Sequence, residues 1–518
     1  MDSTVLFVSL LLSCQLHFSL GENSSGCEAR DYGKGSVVCV CNATYCDTAP
    51  ARVKPQTGSY TLYQSTKSGD RFRTNQSVFS QSPSSSVVLS LKVNQSYQTI
   101  LGFGGAFTDA AGINIKSLSP KAQDKLLHSY YAPEGIEYTV GRIPMGSCDF
   151  STREYSYDDT SLDFNLTKFS LAQEDLLYKI PFIQKAISIS QRNISIFGSP
   201  WSAPAWMKTN GNMSGNGTLI GKPGGQYYKT WANYFVRFLQ EYEKNGIHLW
   251  GLTAQNEPTD GNIVNFSFQC MGWTPSQQRD FIALDLGPAL EKAGYGHVHL
   301  MILDDLRLLL PYWAEIVLKS PEAAKYISGI AVHWYIDALV TADQLNKTHS
   351  LFPNKFMLAT EACEGNLPWQ EHVALGDWYR AESYAHDIIQ DLNNWVVGWT
   401  DWNIALDMQG GPNWVKNFVD SPIIVNSESD EFYKQPMFYA MGHFSKFVLP
   451  DSKRVKLEAN SQMDLETTAF VAPDSSVVVQ VLNRMNDDKS ISIYDPGNGY
   501  INTVVPAHSI QTYLWALK

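Results

Sequence analysis

Between residues 98 and 403 the chain repeats one pattern: a short apolar strand, a polar or aromatic exit, then a helical stretch. The strand candidates are TILGFGG (99–105), YTVGRIP (138–144), ISIFGSP (194–200), LWGLTAQ (249–255), VHLMILD (298–304), GIAVHWY (329–335), KFMLATE (355–361) and VVGWTDW (396–402). Amphipathic segments such as YYKTWANYFVRFLQEYEKNG and AESYAHDIIQDLNNW lie between them, with apolar residues at helical spacing. Eight alternating strand–helix units predict an α/β fold, a closed (β/α)8 TIM barrel. An open doubly wound sheet is the alternative, but GFGGAF lacks the glycine spacing of a dinucleotide-binding turn.

Outside this region the pattern changes to alternating Val, Thr, Ser and Tyr, as in SSVVLSLKV and SSVVVQVLN. Residues 52–97 and 452–518 therefore read as antiparallel strands of one β-sandwich built from both chain ends. The barrel takes residues 98–403 plus about 436–451. Cys27, Cys39, Cys41 and Cys46 crowd a third, small antiparallel module over 22–51, completed by about 404–435. In an oxidising compartment the four read as two disulfides; zinc is disfavoured by the C-x-C spacing and the lack of a histidine. Cys148, Cys270 and Cys363 are left as isolated thiols, which burial would keep inert.

Residues 1–21 have the apolar run and small-residue end of a secretory leader, although Asp2 stands where a basic residue is usual. Sequons at Asn23, Asn42, Asn75, Asn94, Asn165, Asn193, Asn212, Asn216, Asn265 and Asn346 fit the same route. A net charge of −12 without a basic run argues against nucleic acid as a partner.

In a barrel of this kind chemistry sits where the strands end. The exits offer Arg142, Trp201, Asn256–Glu257, His333–Trp334–Tyr335, Glu361 and Asp401–Trp402–Asn403. Polar groups interleaved with indoles suit a sugar: planar groups hold hydroxyls and flat rings cover C–H faces. Glu257 and Glu361 end the fourth and seventh strands, so both carboxylates face one pocket. A separation of about 5–5.5 Å would make them a retaining glycosidase pair. Asn256 is placed to hold a sugar 2-hydroxyl. The charge on Glu361 is expected to raise the pKa of Glu257, keeping it protonated as the acid. His333 reads as a lone, hydrogen-bonded structural histidine. No G-x-S-x-G or H-E-x-x-H occurs.

The stretches CVCNATYCD, GFGGAFTDAAG, RIPMGSCDFS, SPWSAPAWMKTNG, TAQNEP, AVHWY, TEAC, GWTDWNIAL, GGPNWVKNFVDSPII and FYKQPMFYAMGHFSKF closely resemble glycoside hydrolase family 30, over essentially the whole chain past the leader. The resemblance implies hydrolysis of the β-glucosyl bond of glucosylceramide at acidic pH, with retention through a covalent glucosyl-enzyme and without metal or cofactor. It gives Glu257 as acid/base and Glu361 as nucleophile. It matches Asp149, Trp201, Asn256, Trp402 and Asn417 to glucose-holding positions, Arg142 to a residue orienting the nucleophile, and Tyr335 to one beside it. It also pairs Cys27 with Cys39 and Cys41 with Cys46. Its implied partners are a saposin-type activator protein, an anionic phospholipid surface and a lysosomal membrane sorting receptor, with the enzyme in the lysosomal lumen. Two positions depart from the pattern: Gln255 replaces an acidic residue and Lys416 an arginine. A family 30 glycosidase for another β-linked glycan, or an inactive glycolipid-binding paralogue, are the competing readings; two facing carboxylates argue against the second.

Overall fold

The computed structural model describes residues 26–518. The expected leader and Asn23 lie outside the described residues. Eight parallel strands close into a barrel: β1 (Gly102–Ala106), β2 (Val140–Met145), β3 (Ser195–Pro200), β4 (Gly251–Thr253), β5 (His299–Leu306), β6 (Ile327–His333), β7 (Phe356–Glu361) and β8 (Val396–Asn403). Each corresponds to one strand read from the sequence. Closure requires tight contact at β1, where a Cβ on Gly104 would lie 1.7 Å from the Val140 carbonyl oxygen. Only glycine lets β1 approach β2 there.

Two strand boundaries differ from expectation. Thr99 ends the sandwich strand Val88–Thr99, and the barrel begins three residues later. β4 shrinks to three residues, because the chain beyond it turns inward to present side chains. Trp250 is half-buried and packs against His299 and Phe356.

The outer helices bury the apolar stripes that periodicity predicts. In α1 (Gln226–Lys244), Tyr228, Trp231, Tyr234, Phe235, Phe238, Leu239 and Tyr242 turn to the barrel. The helix stops before Gly246 at φ +73°, a left-handed position that favours glycine. α2 (Trp378–Asn393) covers β8, and Trp399 donates to Asp387 on it at 2.8 Å.

A nine-stranded sheet combines Ser59–Thr66, Arg73–Val78 and Val88–Thr99 with six strands from Lys453–Ala459 onward, so both chain ends enter one β-sandwich domain. One pair within it, Lys489–Asp495 on Val88–Thr99, is parallel. One face packs Leu89, Val479, Ile493, Tyr513 and Trp515 together. Buried His443, on α3 (Pro436–Ser445), joins the sandwich through Thr512 and Ser65 at 2.8 and 2.9 Å.

The small sheet runs Ala29–Asp31, Val37–Asn42, Glu431–Lys434, Ile423–Asn426, Leu406–Asp407. It is not wholly antiparallel. Leu406–Asp407 pairs parallel to Ile423–Asn426, because the intervening loop must cross over the barrel mouth and return in the same direction. Disulfides join Cys27 to Cys39 and Cys41 to Cys46, while Cys148, Cys270 and Cys363 are free and buried. No helix among the described residues is long and apolar enough to cross a membrane. Asn75, Asn94, Asn165, Asn193, Asn212, Asn216 and Asn265 are exposed, whereas Asn42 and Asn346 are half-buried.

Candidate active site

At the C-terminal rim a cavity of about 180 Å³ is lined by Asp149, Trp201, Glu257, Tyr335, Glu361, Trp402 and Asn417, with Phe150, Phe268, Cys363, Asn366 and Val419. That is below the roughly 300–1,000 Å³ of pockets for drug-sized ligands, and suits one sugar ring. Seven of the nine residues singled out in the sequence meet here. The other two, Arg142 and Asn256, form the floor.

Arg142 organises that floor. It is fully buried at the middle of β2 and donates through Nη1 to Glu361 Oε2. Its Nη2 donates to Asn256 Oδ1 and Asp304 Oδ2, each at 2.8 Å, and Nε to Ser199 Oγ at 3.2 Å. Its guanidinium lies 5.0 and 5.3 Å from the rings of Trp201 and Trp402, which stack on each other 5.1 Å apart. The Tyr335 hydroxyl donates to the other oxygen of Glu361. The Glu361 carboxylate is thus clamped from two sides.

Glu257 enters from β4, where the register is kept by backbone bonds from Asn256 to Pro200 and from Glu257 to Asp304. Its φ of +40° is a left-handed conformation that a glutamate rarely adopts. Such strain costs about 1–3 kcal/mol and persists only where surrounding contacts impose it. A carboxylate oxygen of Glu257 lies within 4.8 Å of one on Glu361, with a His333 nitrogen inside the same radius.

His333 is no isolated structural residue. Its Nδ1 lies 3.1 Å from Glu257 and its Nε2 3.0 Å from Asp304. Asp304 itself escaped the sequence reading. It stands at a bulge in β5, where Leu303 and Asp304 both have positive φ, and the extra residue turns its carboxylate into the barrel. There it accepts from Arg142, His333, Thr253 and Thr360. The available signal was the Asp-Asp pair closing VHLMILDD at a strand exit.

Other exits divide by face. Trp402 reaches the cavity, whereas Asp401 accepts from Tyr384 on α2 and Asn403 from Thr108. Trp334 donates to the Cys363 carbonyl. Asn413 and Asn417, on the loop that crosses the mouth, donate to Asp149 Oδ2 at 3.1 and 3.0 Å. Gln255 spends its amide on the Trp201 and Asn256 carbonyls and accepts from Trp273.

Electrostatics follow from this packing. Burial alone would raise Asp304, but the Arg142 and His333 charges hold it well below the usual carboxylate range. Burial opposes charge on His333, yet Glu361 and Asp304 overcome it and raise its pKa to about 10. For Glu257 burial is outweighed by the His333 hydrogen bond and charge, so its pKa is lowered. This corrects the expectation that Glu361 would push it up. Glu361 is the one raised, by burial and by Glu257 against the pull of His333 and Arg142. His333, 3.1 Å from Glu257 and within 4.8 Å of a Glu361 oxygen, lies close to both carboxylates. Burial lifts Asp149 to about 7 despite its two asparagine donors.

The glycosyl hydrolase family 30 TIM-barrel model matches residues 100–448, and the family 30 β-sandwich model residues 451–513. Mouse lysosomal acid glucosylceramidase is 52% identical over 491 residues, covering 94% of this chain and 95% of that protein. Among solved structures, SrfJ of Salmonella typhimurium superposes with a TM-score of 0.81 at 29% identity, over 89% of this chain and 100% of its own. An endo-β-1,6-glucanase shares the fold, with a TM-score of 0.78 at 24% identity over 89% and 100%. With barrel and sandwich models matched in order along the chain, and half of its residues shared with a relative of similar length, this chain belongs to glycoside hydrolase family 30.

Proposed function

We propose that this chain cleaves the β-glucosyl bond of glucosylceramide by double displacement, releasing glucose and ceramide at acidic pH in the lysosomal lumen. The observation that carries the reading is the approach of Glu257 and Glu361 to within 4.8 Å, which is short of the roughly 6.5–9.5 Å an inverting pair needs for its water. Glu361, aimed by Arg142 and Tyr335, attacks the anomeric carbon as Glu257 gives a proton to the departing ceramide oxygen. The glucosyl-enzyme ester then forms at Glu361. Water enters, Glu257 takes its proton, and the hydroxyl displaces Glu361 from the sugar. Asn256, fixed by Arg142, is placed for the 2-hydroxyl, and the Trp201–Trp402 stack for the ring's apolar face.

The lipid half of the substrate is supported by the rim. Val264, Leu339 and Trp369 are exposed on loops that follow β4, β6 and β7, and exposed Tyr312 opens the helix Tyr312–Leu318 after β5. Apolar groups in that position suit contact with an anionic membrane and with a saposin-type activator. Delivery by a lysosomal membrane receptor follows the same reading. The test is a β-glucose-configured epoxide, with peptide mapping of the adduct. Label on Glu361 and turnover of glucosylceramide above that of β-xylosides and β-1,6-glucans are expected. Label elsewhere, or a preference for the glycans, would refute the assignment.

A further inference from the structure

Loops that follow β2, β3, β4 and β8 reach the cavity, and one buried amide joins them. Gln269 is fully buried on the loop after β4, next to Phe268, which lines the cavity. Its backbone forms a bridge with Ser214 on the loop after β3. Its Nε2 donates to Ser147 Oγ on the loop after β2 at 2.8 Å. Its Oε1 accepts from Trp414 Nε1, on the loop that crosses the mouth, at 3.0 Å. The orientation of this amide is fixed at both ends. An indole nitrogen only donates, so the amide oxygen must face Trp414. The Ser147 hydroxyl gives its proton to the Tyr155 carbonyl at 2.7 Å, so Gln269 must meet it with a donor.

The loops joined in this way carry one edge of the pocket. Asp149 shares a loop with Ser147, and Asn413 and Asn417 share one with Trp414. Those asparagines donate to the Asp149 carboxylate, and the Trp414 N–H bonds to the Asp149 and Ser151 carbonyls at 3.2 and 3.1 Å. The mouth loop and the β2 loop therefore move as one piece, and Gln269 ties that piece to the loop that begins at Glu257. Resting on the glycosidase reading above, we propose that Gln269 is a positioning residue: its amide sets how far the Asp149–Asn417 edge stands from the loop bearing Glu257 and Phe268, and so fits the pocket to one sugar ring. The clamp on Glu361 comes from Arg142 and Tyr335 and is separate from this strap. Loosening the amide lets the edge draw away from the sugar while the two carboxyls keep their own partners. Sugar binding then weakens more than the chemical step does.

The test compares the full chain with Gln269→Met, Trp414→Phe and the double variant on a dinitrophenyl β-glucoside, with active sites counted by a β-glucose-configured epoxide. Methionine keeps the length of the side chain and removes both strong hydrogen bonds, whereas phenylalanine removes the indole N–H. Gln269→Met should raise KM and the Ki of a glucose-configured iminosugar about tenfold, while kcat per labelled site falls less than about threefold. Trp414→Phe should raise that Ki about threefold, and the double variant should go no further than Gln269→Met. Fewer labelled sites with KM and Ki unmoved would mark a merely structural role and overturn the inference. So would losses that add in the double variant. If Gln269→Met yields no labelled sites, Trp414→Phe decides, and an unmoved Ki there overturns the inference. Peptide mapping of the labelled parent separates the two proposals. An adduct away from Glu361 overturns the glycosidase roles; label on Glu361 with an unmoved Ki in the variants overturns this inference and leaves those roles standing.

Discussion

Nδ1 of His333 lies 3.1 Å from Oε1 of Glu257, and the same ring holds Asp304 at 3.0 Å on its other side. A protonated imidazole at that point ties Glu257, the proposed acid/base, to the Arg142 network that clamps Glu361. His333→Ala should raise the Glu257 pKa, shift the pH optimum upward and lower kcat about 10–100-fold. Because it leaves Asp304 buried with one cation fewer, it should also destabilise the fold by about 3–5 kcal/mol. A pH–rate series and denaturant unfolding would check both; an unmoved optimum would reduce His333 to packing.

Glu361→Gln should lower turnover on the order of 10⁴-fold or more, since it removes the proposed nucleophile. Glu257→Gln should still form the glucosyl-enzyme from a dinitrophenyl glucoside and then stall. Intact-protein mass spectrometry would show the adduct in the second variant alone.

Stability should fall as the solution turns alkaline. Asp305 is raised to about 6, Asp149 to about 7 and Asp337 to about 10, in each case chiefly by burial. The folded chain therefore binds protons that the unfolded chain, with carboxyls near 3.9, has released. This stabilisation is complete below about pH 4 and is lost step by step as pH rises through each folded value. His443 works in the opposite sense. Burial lowers it to about 3, so its contribution is lost as pH falls below about 6.5. The midpoint of thermal unfolding should peak near pH 5–6, and a maximum at pH 8 would contradict the balance.

One cluster makes this local. Arg307 Nη1 sits 2.9, 3.9 and 3.4 Å from Asp337, Asp387 and Asp391, so one buried cation faces three carboxyls. Burial first, and Asp387 next, raise Asp391 well above the usual carboxylate range, and Asp391→Asn removes that titration while keeping the shape. Its melting temperature should exceed that of the parent at pH 7.5 and match it at pH 4.5. An equal change at both values would mean that this titration is not the term involved.

Leu339 and Trp369 are 85% and 80% exposed on adjacent rim loops. Leu339→Ala with Trp369→Ala should reduce hydrolysis of glucosylceramide in anionic vesicles several-fold and leave soluble glucosides unaffected. Vesicle co-sedimentation should fall in parallel. If both substrates suffer alike, the loops act on the site and not on the membrane.

Periodicity and spacing were sufficient for the frame of this molecule. Strand–helix alternation is a local property, and parallel strands joined by helices have few ways to close, so eight units give the barrel from sequence. The same arithmetic put Glu257 and Glu361 on one rim, because a strand end has a fixed place once the barrel is closed. What could not be read locally was the direction of charge. Asp304 owes its role to a bulge, and His333 to carboxyls 29 and 76 residues away. The parallel pair at Leu406–Asp407 likewise depends on where a long loop lands. A pKa is set by burial and by whatever charge the fold brings within a few ångströms. Those neighbours come from β2, β4, β5, β6 and β7, and only closure of the barrel brings them together.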